Sequence, residues 1–260
     1  ATPRQGLATT DNNRFVRFFW EVSHSSFQTG MTREEALSST FRWFPFNKGG
    51  AFRKWYGNIN FLVDWEKDGR RIKESILEKY SYLQTPDFVA KNQLRYFSSG
   101  LTWSAISSGS LALRMQESGI VFSNAGMVMF PNDDDLYRCF VLNTNMAKDF
   151  LDVLSPTLNY NAGSIASFPT IDLKSDEIRG LVSNCIAISK NEWNSKEQSW
   201  DYNGCQLLNH KTELISDSID LYKQYWSNQL LRLHQYENAI ELEFSKLYSI
   251  ENVTTIPLEA

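Results

Sequence analysis

The stretch FNKGGAFRKWYGN, residues 46–58, concentrates residue types that bind phosphate. It places Lys48 directly before Gly49 and Gly50, and Arg53 and Lys54 follow three and four residues later. Lysine and arginine neutralise phosphate charge, and glycines let backbone N–H groups approach an anion closely. The stretch therefore fits a phosphate cradle, a nucleic-acid loop, a sugar platform or a plain turn beside core aromatics.

Motifs for nucleotide binding and hydrolysis are missing from the sequence. A Walker A loop has lysine after its glycines, whereas here the lysine precedes them, and no GxGxxG, GxSxG or HExxH pattern occurs. The acidic run at residues 133–135 lacks the spacing of a calcium loop, and nothing beyond proximity supports Glu197 with Asp201 as a glycosidase pair. We therefore expect neither catalytic residues nor a metal site in this chain.

Two further clusters carry recognition chemistry. Asn12, Asn13 and Arg14 are consecutive, and amide and guanidinium groups read base edges or hold phosphates. A serine-rich segment is the weaker candidate and contributes Ser104, Ser107 and Ser108. For each cluster, the alternative interpretation is an ordinary surface turn.

The charge distribution is asymmetric although the net charge is only −4. Residues 1–125 carry 16 Lys and Arg against 11 Asp and Glu, a net charge of +5. Residues 126–260 carry 10 against 19, a net charge of −9. A first half that faces a polyanion and a second half that does not would have this split.

Signals for secretion and membrane insertion are missing as well. No apolar run approaches about 20 residues, and the first residues lack the apolar region of a signal peptide. The three cysteines are scattered, which disfavours a disulfide framework or a zinc site. We expect a cytoplasmic protein without membrane contact, and the start at Ala1 indicates a piece of a longer chain.

The apolar pattern predicts an α+β fold that is β-rich first and helical afterwards. Residues 94–130 are short apolar pieces, beginning with LRYF, separated by SSG, SSGS, SG and NAG, which is typical of sheet strands and tight turns. Residues 159–171 predict a turn, a strand and a proline exit. Residues 210–250 have apolar side chains three to four apart without glycine or proline, which predicts one long helix, or two with a break.

Two local signals predict where helices begin. Thr32 with Glu35 three residues later is a capping-box pattern. Residues 59–69 predict a strand followed by a Lys-Asp-Gly turn, and the next segment is amphipathic, with Ile72 and Ile76 on one helical face.

Several long motifs, in order, resemble one group of DNA methyltransferases. GLATTDNNRF, residues 6–15, is similar to the GIKTGxNxxF signature that opens the target-recognition region of fused N6-adenine methyltransferases, including type IIG restriction-modification enzymes. The chain resembles the PglX family of the BREX phage-defence system more closely. The family patterns GLxTGDNNRFVR, WFPYNKGGEFRKWYGN and WENDG correspond here to GLATTDNNRFVR, WFPFNKGGAFRKWYGN and WEKDG. GLTWSAISSGSLALR, NYNAGSIASFP and AISKNEWNSKEQSWDY also fit, so the resemblance covers essentially the whole chain.

The resemblance implies a division of labour within a longer enzyme. Residues 1–173 would be a mixed, β-rich target-recognition domain that holds double-stranded DNA, and residues 174–260 a helical bracing or clamp segment. The methyltransferase core of the same parent chain would be one partner, and other defence-system subunits are further candidates. The S-adenosylmethionine and catalytic motifs of such enzymes do not occur here. The parent enzyme, and not this segment, is therefore expected to use S-adenosylmethionine.

One position departs from the family pattern, in which threonine is followed by glycine. The corresponding pair here is Thr9 and Thr10. If that glycine has a positive φ, a β-branched residue must be accommodated differently, because its side chain disfavours this backbone conformation.

Two other functions stay open from the residues alone. The acidic, aromatic-rich second half could be a protein-interaction module that docks subunits of a defence complex or a phage inhibitor that mimics DNA. The eight tryptophans are compatible with a carbohydrate-binding or carbohydrate-hydrolysing domain, although no paired carboxylates support one.

Overall fold

A computed structural model of the chain describes residues 2–107, 109–154, 157, 159–171, 175–202 and 204–250. The strands are β1 (Pro3–Arg4), β2 (Val16–Phe18), β3 (Trp43–Asn47), β4 (Trp55–Tyr56), β5 (Phe61–Asp64), β6 (Gly100–Ser104), β7 (Arg114–Gln116), β8 (Val121–Phe122) and β9 (Gly126–Met129). The helices are α1 (Asn12–Phe15), α2 (Arg33–Ser38), α3 (Glu66–Lys79), α4 (Asp133–Cys139), α5 (Asn145–Leu154), α6 (Ala162–Ala166), α7 (Asp176–Asn194) and α8 (Ile215–Leu247). The predicted α+β class with a helical C-terminal part is confirmed.

The described strands form two mixed sheets. The five-stranded sheet has the order β1-β9-β6-β7-β4, in which β4 and β7 are parallel and the other neighbours are antiparallel. The four-stranded sheet has the order β2-β5-β3-β8, in which β3 and β8 are parallel. In both sheets, strands that are distant in the sequence are neighbours, such as β3 with β8 and β4 with β7. The sheets are therefore assembled from short segments spread over the first half of the chain.

The five-stranded sheet packs against α5, α7 and α8 on one face and against the four-stranded sheet and α3 on the other. Both faces can pack because successive side chains of a strand point to opposite faces. Leu101 and Trp103 of β6, with Met127 of β9, pack in a core cluster that includes residues of α5, α7 and α8. Val128 of β9 packs in a second cluster with residues of β3, β5 and α3. Thr102 of β6 faces the same way as Val128 and meets polar side chains between the sheets.

Both predicted helix-start signals are present. The Thr32 hydroxyl accepts the Glu35 N–H at 3.2 Å, and the Glu35 carboxylate accepts the Thr32 N–H at 2.8 Å, which is a complete capping box before α2. Residues 67–69 have φ values of 51°, 58° and 70° and form the predicted turn. Beyond it, Ile72 and Ile76 are fully buried on one face of α3.

The second half is built on two long helices. The Ser175 hydroxyl caps α7 by accepting the Ile178 N–H at 3.2 Å. Residues 215–247 form one uninterrupted helix, α8, of 33 residues. Within the described ranges, no helix is both long enough and apolar enough to cross a membrane. The predicted division after residue 173 falls outside the described residues and stays a prediction.

Two local predictions were wrong. Residues 94–97 are not a strand: Gln93–Arg95 is a 3-10 turn, flanked by Asn92 at φ 54° and Phe97 at φ 69°, which breaks any extended run. Residues 159–171 contain a helix, α6, rather than a strand. The Asn161 side chain accepts the Ser164 N–H at 3.0 Å, and this cap starts the helix before the proline is reached.

Candidate nucleic-acid interface

Residues 48–50, called the glycine loop below, leave the end of β3 and are fixed by the buried side chain of Asn47. Its amide nitrogen donates to Thr102 Oγ1 at 2.6 Å and to Gln116 Oε1 at 2.7 Å. Its amide oxygen accepts the Gly49 N–H at 3.0 Å. Asn47 and its two partner side chains are fully buried, so the loop is tied to the five-stranded sheet by a satisfied polar network.

Glycine is required where this loop passes the β8–β9 turn. Gly49 has φ 77°, and a Cβ atom there would lie 2.8 Å from the carbonyl oxygen of Ala125. A Cβ atom on Gly126 would lie 2.1 Å from Oδ1 of Asn47 and 2.6 Å from the backbone nitrogen of Gly49. Gly50, at φ 137°, is exposed at the tip of the loop. The glycines therefore allow close internal packing and leave one backbone unit open to solvent.

Lys48 is the accessible cation of the loop. Its ammonium lies 5.5 Å from the centre of the Phe61 ring, and within the part of the chain that the structure describes it forms no ion pair. Partial burial lowers the pKa of the Lys48 ammonium below its ordinary value. A desolvated cation without a carboxylate partner gains from an approaching anion.

A buried arginine supports the same loop from beneath. Arg114 is 0% exposed, and its guanidinium donates to the Arg53 carbonyl at 3.2 Å and to Ser104 Oγ at 3.3 Å. Ser104 in turn donates to the Gly50 carbonyl at 2.9 Å. Burial, with the nearby charge of Arg53, lowers the pKa of Arg114 to about 10. Among the described residues, no carboxylate pairs with Arg114, so its positive charge is uncompensated below the loop tip.

Arg53 and Lys54, by contrast, are used inside the molecule. The Arg53 guanidinium donates to the Tyr56 carbonyl at 2.6 Å, pairs with Glu192 of α7, and lies 5.1 Å from the centre of the Trp193 ring. The Lys54 ammonium lies 3.9 Å from a carboxylate oxygen of α8. These two cations attach the segment after the glycine loop to the acidic helices.

The N-terminal cluster forms a compact loop before α1. The Thr9 hydroxyl donates to Oδ1 of Asn12 at 2.6 Å, and the Asp11 carboxylate accepts the Arg14 N–H at 3.0 Å. The side chains of Asn12, Asn13 and Arg14 are exposed. Asn12 and Asn13 line one shallow pocket together with Lys79, at the end of α3.

Thr10, which stands where the family pattern has glycine, has a positive φ. Its φ is 61°, in the left-handed region that favours glycine. Its hydroxyl oxygen is buried and has no hydrogen-bond partner among the described residues. The backbone therefore keeps the left-handed turn, and the threonine side chain is accommodated at the expense of local strain.

The serine cluster divides into separate environments. Ser104 lies at the glycine loop, as described above. Ser107 is buried, and its hydroxyl donates to the Ser110 carbonyl at 3.1 Å, so it stabilises its own turn. Ser108 lies outside the described residues.

An open groove of about 520 Å³ lies beside the glycine loop and was not predicted from the sequence. The two meet at Ala125, which lines the groove and contacts the loop. Its lining residues include Asn124, Ile106, Tyr82 and Phe88. Ile106 and Phe88 are 73% and 69% exposed. The NAG turn that carries Asn124 was visible in the sequence only as a strand break.

Comparison with known proteins identifies relatives of the chain. No family model matches the chain. Across 96% of its length it is 30% identical to the adenine-specific methyltransferase PglX of Lacticaseibacillus casei (strain Zhang). Across 98% it is 29% identical to the adenine-specific methyltransferase BrxX of Escherichia coli O9:H4 (strain HS). The chain is a relative of the PglX-type adenine-specific methyltransferases. The resemblance identified in the sequence motifs is thereby confirmed.

The chain covers only part of the length of these relatives. It spans 21% of the length of PglX and 20% of the length of BrxX. Its fold also matches the Type IIL restriction-modification enzyme MmeI, solved in complex with DNA, with a TM-score of 0.54 and 14% sequence identity. That match covers 98% of this chain and 33% of the MmeI chain. A similar fold therefore occurs within a larger restriction-modification enzyme.

Proposed function

We propose that this chain recognises a specific double-stranded DNA sequence on behalf of an adenine-N6 DNA methyltransferase. The observation that carries the proposal is the positive charge of Lys48 and Arg114 at the glycine loop, beside an open groove, where neither has a carboxylate partner among the described residues. Phosphate is the polyanion that such a loop would hold, and the groove offers amide and apolar side chains to base edges. The relationship to two adenine-specific methyltransferases, and the DNA in the MmeI complex, support DNA as the ligand.

The candidate residues take different parts in this proposal. Lys48 and the Gly50 backbone would contact phosphate directly, with Gly49 shaping the loop and Ser104 linking it to the sheet. Asn12, Asn13 and Arg14 would form the DNA-facing rim at the N-terminal loop before α1. Arg53 and Lys54 would position the loop rather than contact DNA, because their charged groups already have partners on α7 and α8.

The remainder of the parent enzyme would supply the chemistry. A methyltransferase core with S-adenosylmethionine would take the target adenine out of the stack, while this chain holds the flanking duplex in register. A DNA-binding part of such an enzyme would act in the cytoplasm. The chain itself would contribute recognition without a catalytic group.

The direct test measures binding of this chain to fluorescent duplexes with and without the methylation site of the parent enzyme, at several salt concentrations. Specific recognition predicts tighter binding of the duplex that contains the site. Phosphate contacts predict that log affinity falls with log salt concentration, with a slope of about −0.9 for each phosphate held. Absent binding, or equal affinity for both duplexes, would contradict the proposal.

A protein-interaction role has one supporting observation. Three large apolar side chains of α8, those of Leu221, Leu231 and Leu242, are exposed and lie on one face of the helix, opposite its buried residues. Such a helix face fits a protein surface, and the methyltransferase core of the parent chain is the partner we propose for it. Leu231→Lys should weaken association with a separately produced core while leaving duplex binding by this chain unchanged. Unaltered association would exclude this face as the contact.

A further inference from the structure

Asn124 lies at the tip of a turn whose backbone N–H groups donate three hydrogen bonds. The Ser123 hydroxyl, which is buried, accepts the N–H groups of Ala125 at 3.1 Å and Gly126 at 2.9 Å. The Asn124 N–H donates to the Leu7 carbonyl at 3.2 Å. The position of the Asn124 backbone is therefore fixed before any ligand arrives, as a recognition residue requires.

The Asn124 side chain, in contrast, is uncommitted. It is exposed, and its amide forms no hydrogen bond with any other described residue. A different asparagine on the same groove, Asn161, already uses its amide oxygen to cap α6. A fixed backbone with an unused donor and acceptor is the arrangement that suits readout of a hydrogen-bonding ligand.

The surroundings of Asn124 favour a base pair as that ligand. The Ala105 N–H donates to the Ala125 carbonyl at 2.8 Å, which brings the exposed Ile106 beside Asn124 along the groove. The neighbouring lining residues Ala105 and Ala125 have small side chains, which leave the groove open to a flat base pair. Among the described residues that line it, Lys91 is the charged one, so no carboxylate repels a nucleic acid.

We infer that Asn124 reads adenine in the major groove, with Ile106 against the methyl group of the paired thymine. An asparagine amide matches adenine by donating to N7 and accepting from the N6 amino group, and no other base presents that pair. An apolar side chain next to it matches thymine in the same base pair. Asn124 would thus be a specificity-determining residue. This inference rests on the proposed function, because it presupposes a bound duplex.

The experiment compares methylomes produced by the full-length parent enzyme and its variants. Asn124→Ala should lower the preference for A·T at one position of the methylated motif by roughly 10- to 100-fold. Asn124→Asp keeps the shape, removes the donor and accepts from the cytosine amino group, so it should shift that position toward cytosine. Asn209→Ala, an exposed asparagine in the 3-10 turn Gln206–His210, is the matched control and should leave the motif unchanged.

The outcomes separate this inference from the proposed function. If both Asn124 variants methylate the wild-type motif, the inference is wrong even though DNA recognition stands. A uniform loss of methylation without a motif change, in variants with the wild-type melting temperature, also contradicts it, because that result indicates a positioning role. Failure of the wild-type chain to discriminate between duplexes would instead remove the proposed function itself.

Discussion

The indole nitrogen of Trp55 donates a hydrogen bond to Oε1 of Glu237 over 2.6 Å. Trp55 is 2% exposed, and its ring stacks on Phe140 with the ring centres 5.2 Å apart. The same carboxylate lies 3.9 Å from the ammonium of Lys54. One acidic residue of α8 therefore secures both an aromatic anchor and a cation of the segment that follows the glycine loop.

Removing this carboxylate should destabilise the protein. Glu237→Leu leaves the Trp55 N–H buried without an acceptor, which costs about 1–3 kcal/mol of unfolding free energy. Glu237→Gln retains an acceptor and should lose less. Urea unfolding of the variants measures the difference. Glu243→Gln on the same helix is the control, because its ion pair with Lys246 is solvent-screened and should contribute little to stability. Equal stability of Glu237→Leu and wild type would show that the link is not formed in solution.

Filling the space between the glycine loop and the β8–β9 turn should damage both stability and DNA binding. In Gly126→Ala the added methyl would overlap Asn47 Oδ1 and the Gly49 nitrogen, which we expect to destabilise by about 1–3 kcal/mol. Gly180→Ala is the control: Gly180 is exposed within α7 with open space around it, and alanine there should stabilise by about 0.5–1 kcal/mol. The melting temperature and the duplex affinity of the two variants measure these effects. A Gly126→Ala protein with the wild-type melting temperature and the wild-type affinity would contradict the packing described for the loop.

Relieving the strain at Thr10 should stabilise the protein. Thr10→Gly removes an unfavourable left-handed conformation and an unpartnered hydroxyl, and against the entropy of glycine we expect a net gain of about 1 kcal/mol. Thr9→Gly should have the opposite effect, because Thr9 is buried, lacks a positive φ and loses its bond to Asn12. A lower melting temperature for Thr10→Gly than for wild type would mean that the side chain stabilises the loop.

Lys48 and Lys54 should differ in their effect on the salt dependence of DNA binding. Lys48→Ala removes one phosphate contact and should reduce the log–log salt slope by about 1. Lys54→Ala should leave the slope nearly unchanged, because its ammonium is occupied by Glu237. Fluorescence anisotropy across a salt series measures both. Equal slopes for the two variants would overturn the roles assigned to these cations.

Local sequence signals predicted the structure correctly where it depends on residues that are close in the sequence. The Thr32 cap, the Lys-Asp-Gly turn and the long helix α8 depend on residues a few positions apart, and all three are present. The segment at residues 94–97 was predicted as a strand from its apolar content, but left-handed residues on either side end any extended run.

The arrangement of the candidate interface depended on distant contacts and could not be predicted in the same way. The sequence predicted that Arg53 would hold phosphate. It could not show the ion pair with Glu192, because that partner lies 139 residues later. Asn124 carried no signal beyond a turn, because its exposure follows from strands that pair across the sheet. The family motifs indicated a DNA-related role, and the contacts of the side chains decide which cations remain available.

Exchange of recognition segments tests the central claim most directly. Residues 1–260 of this chain would replace the corresponding segment of a related methyltransferase with a different motif, and the methylome of the hybrid enzyme would be sequenced. If this chain carries sequence recognition, the hybrid should methylate the motif of the enzyme that donated the segment. A hybrid that is active and keeps the motif of the recipient enzyme would contradict the account.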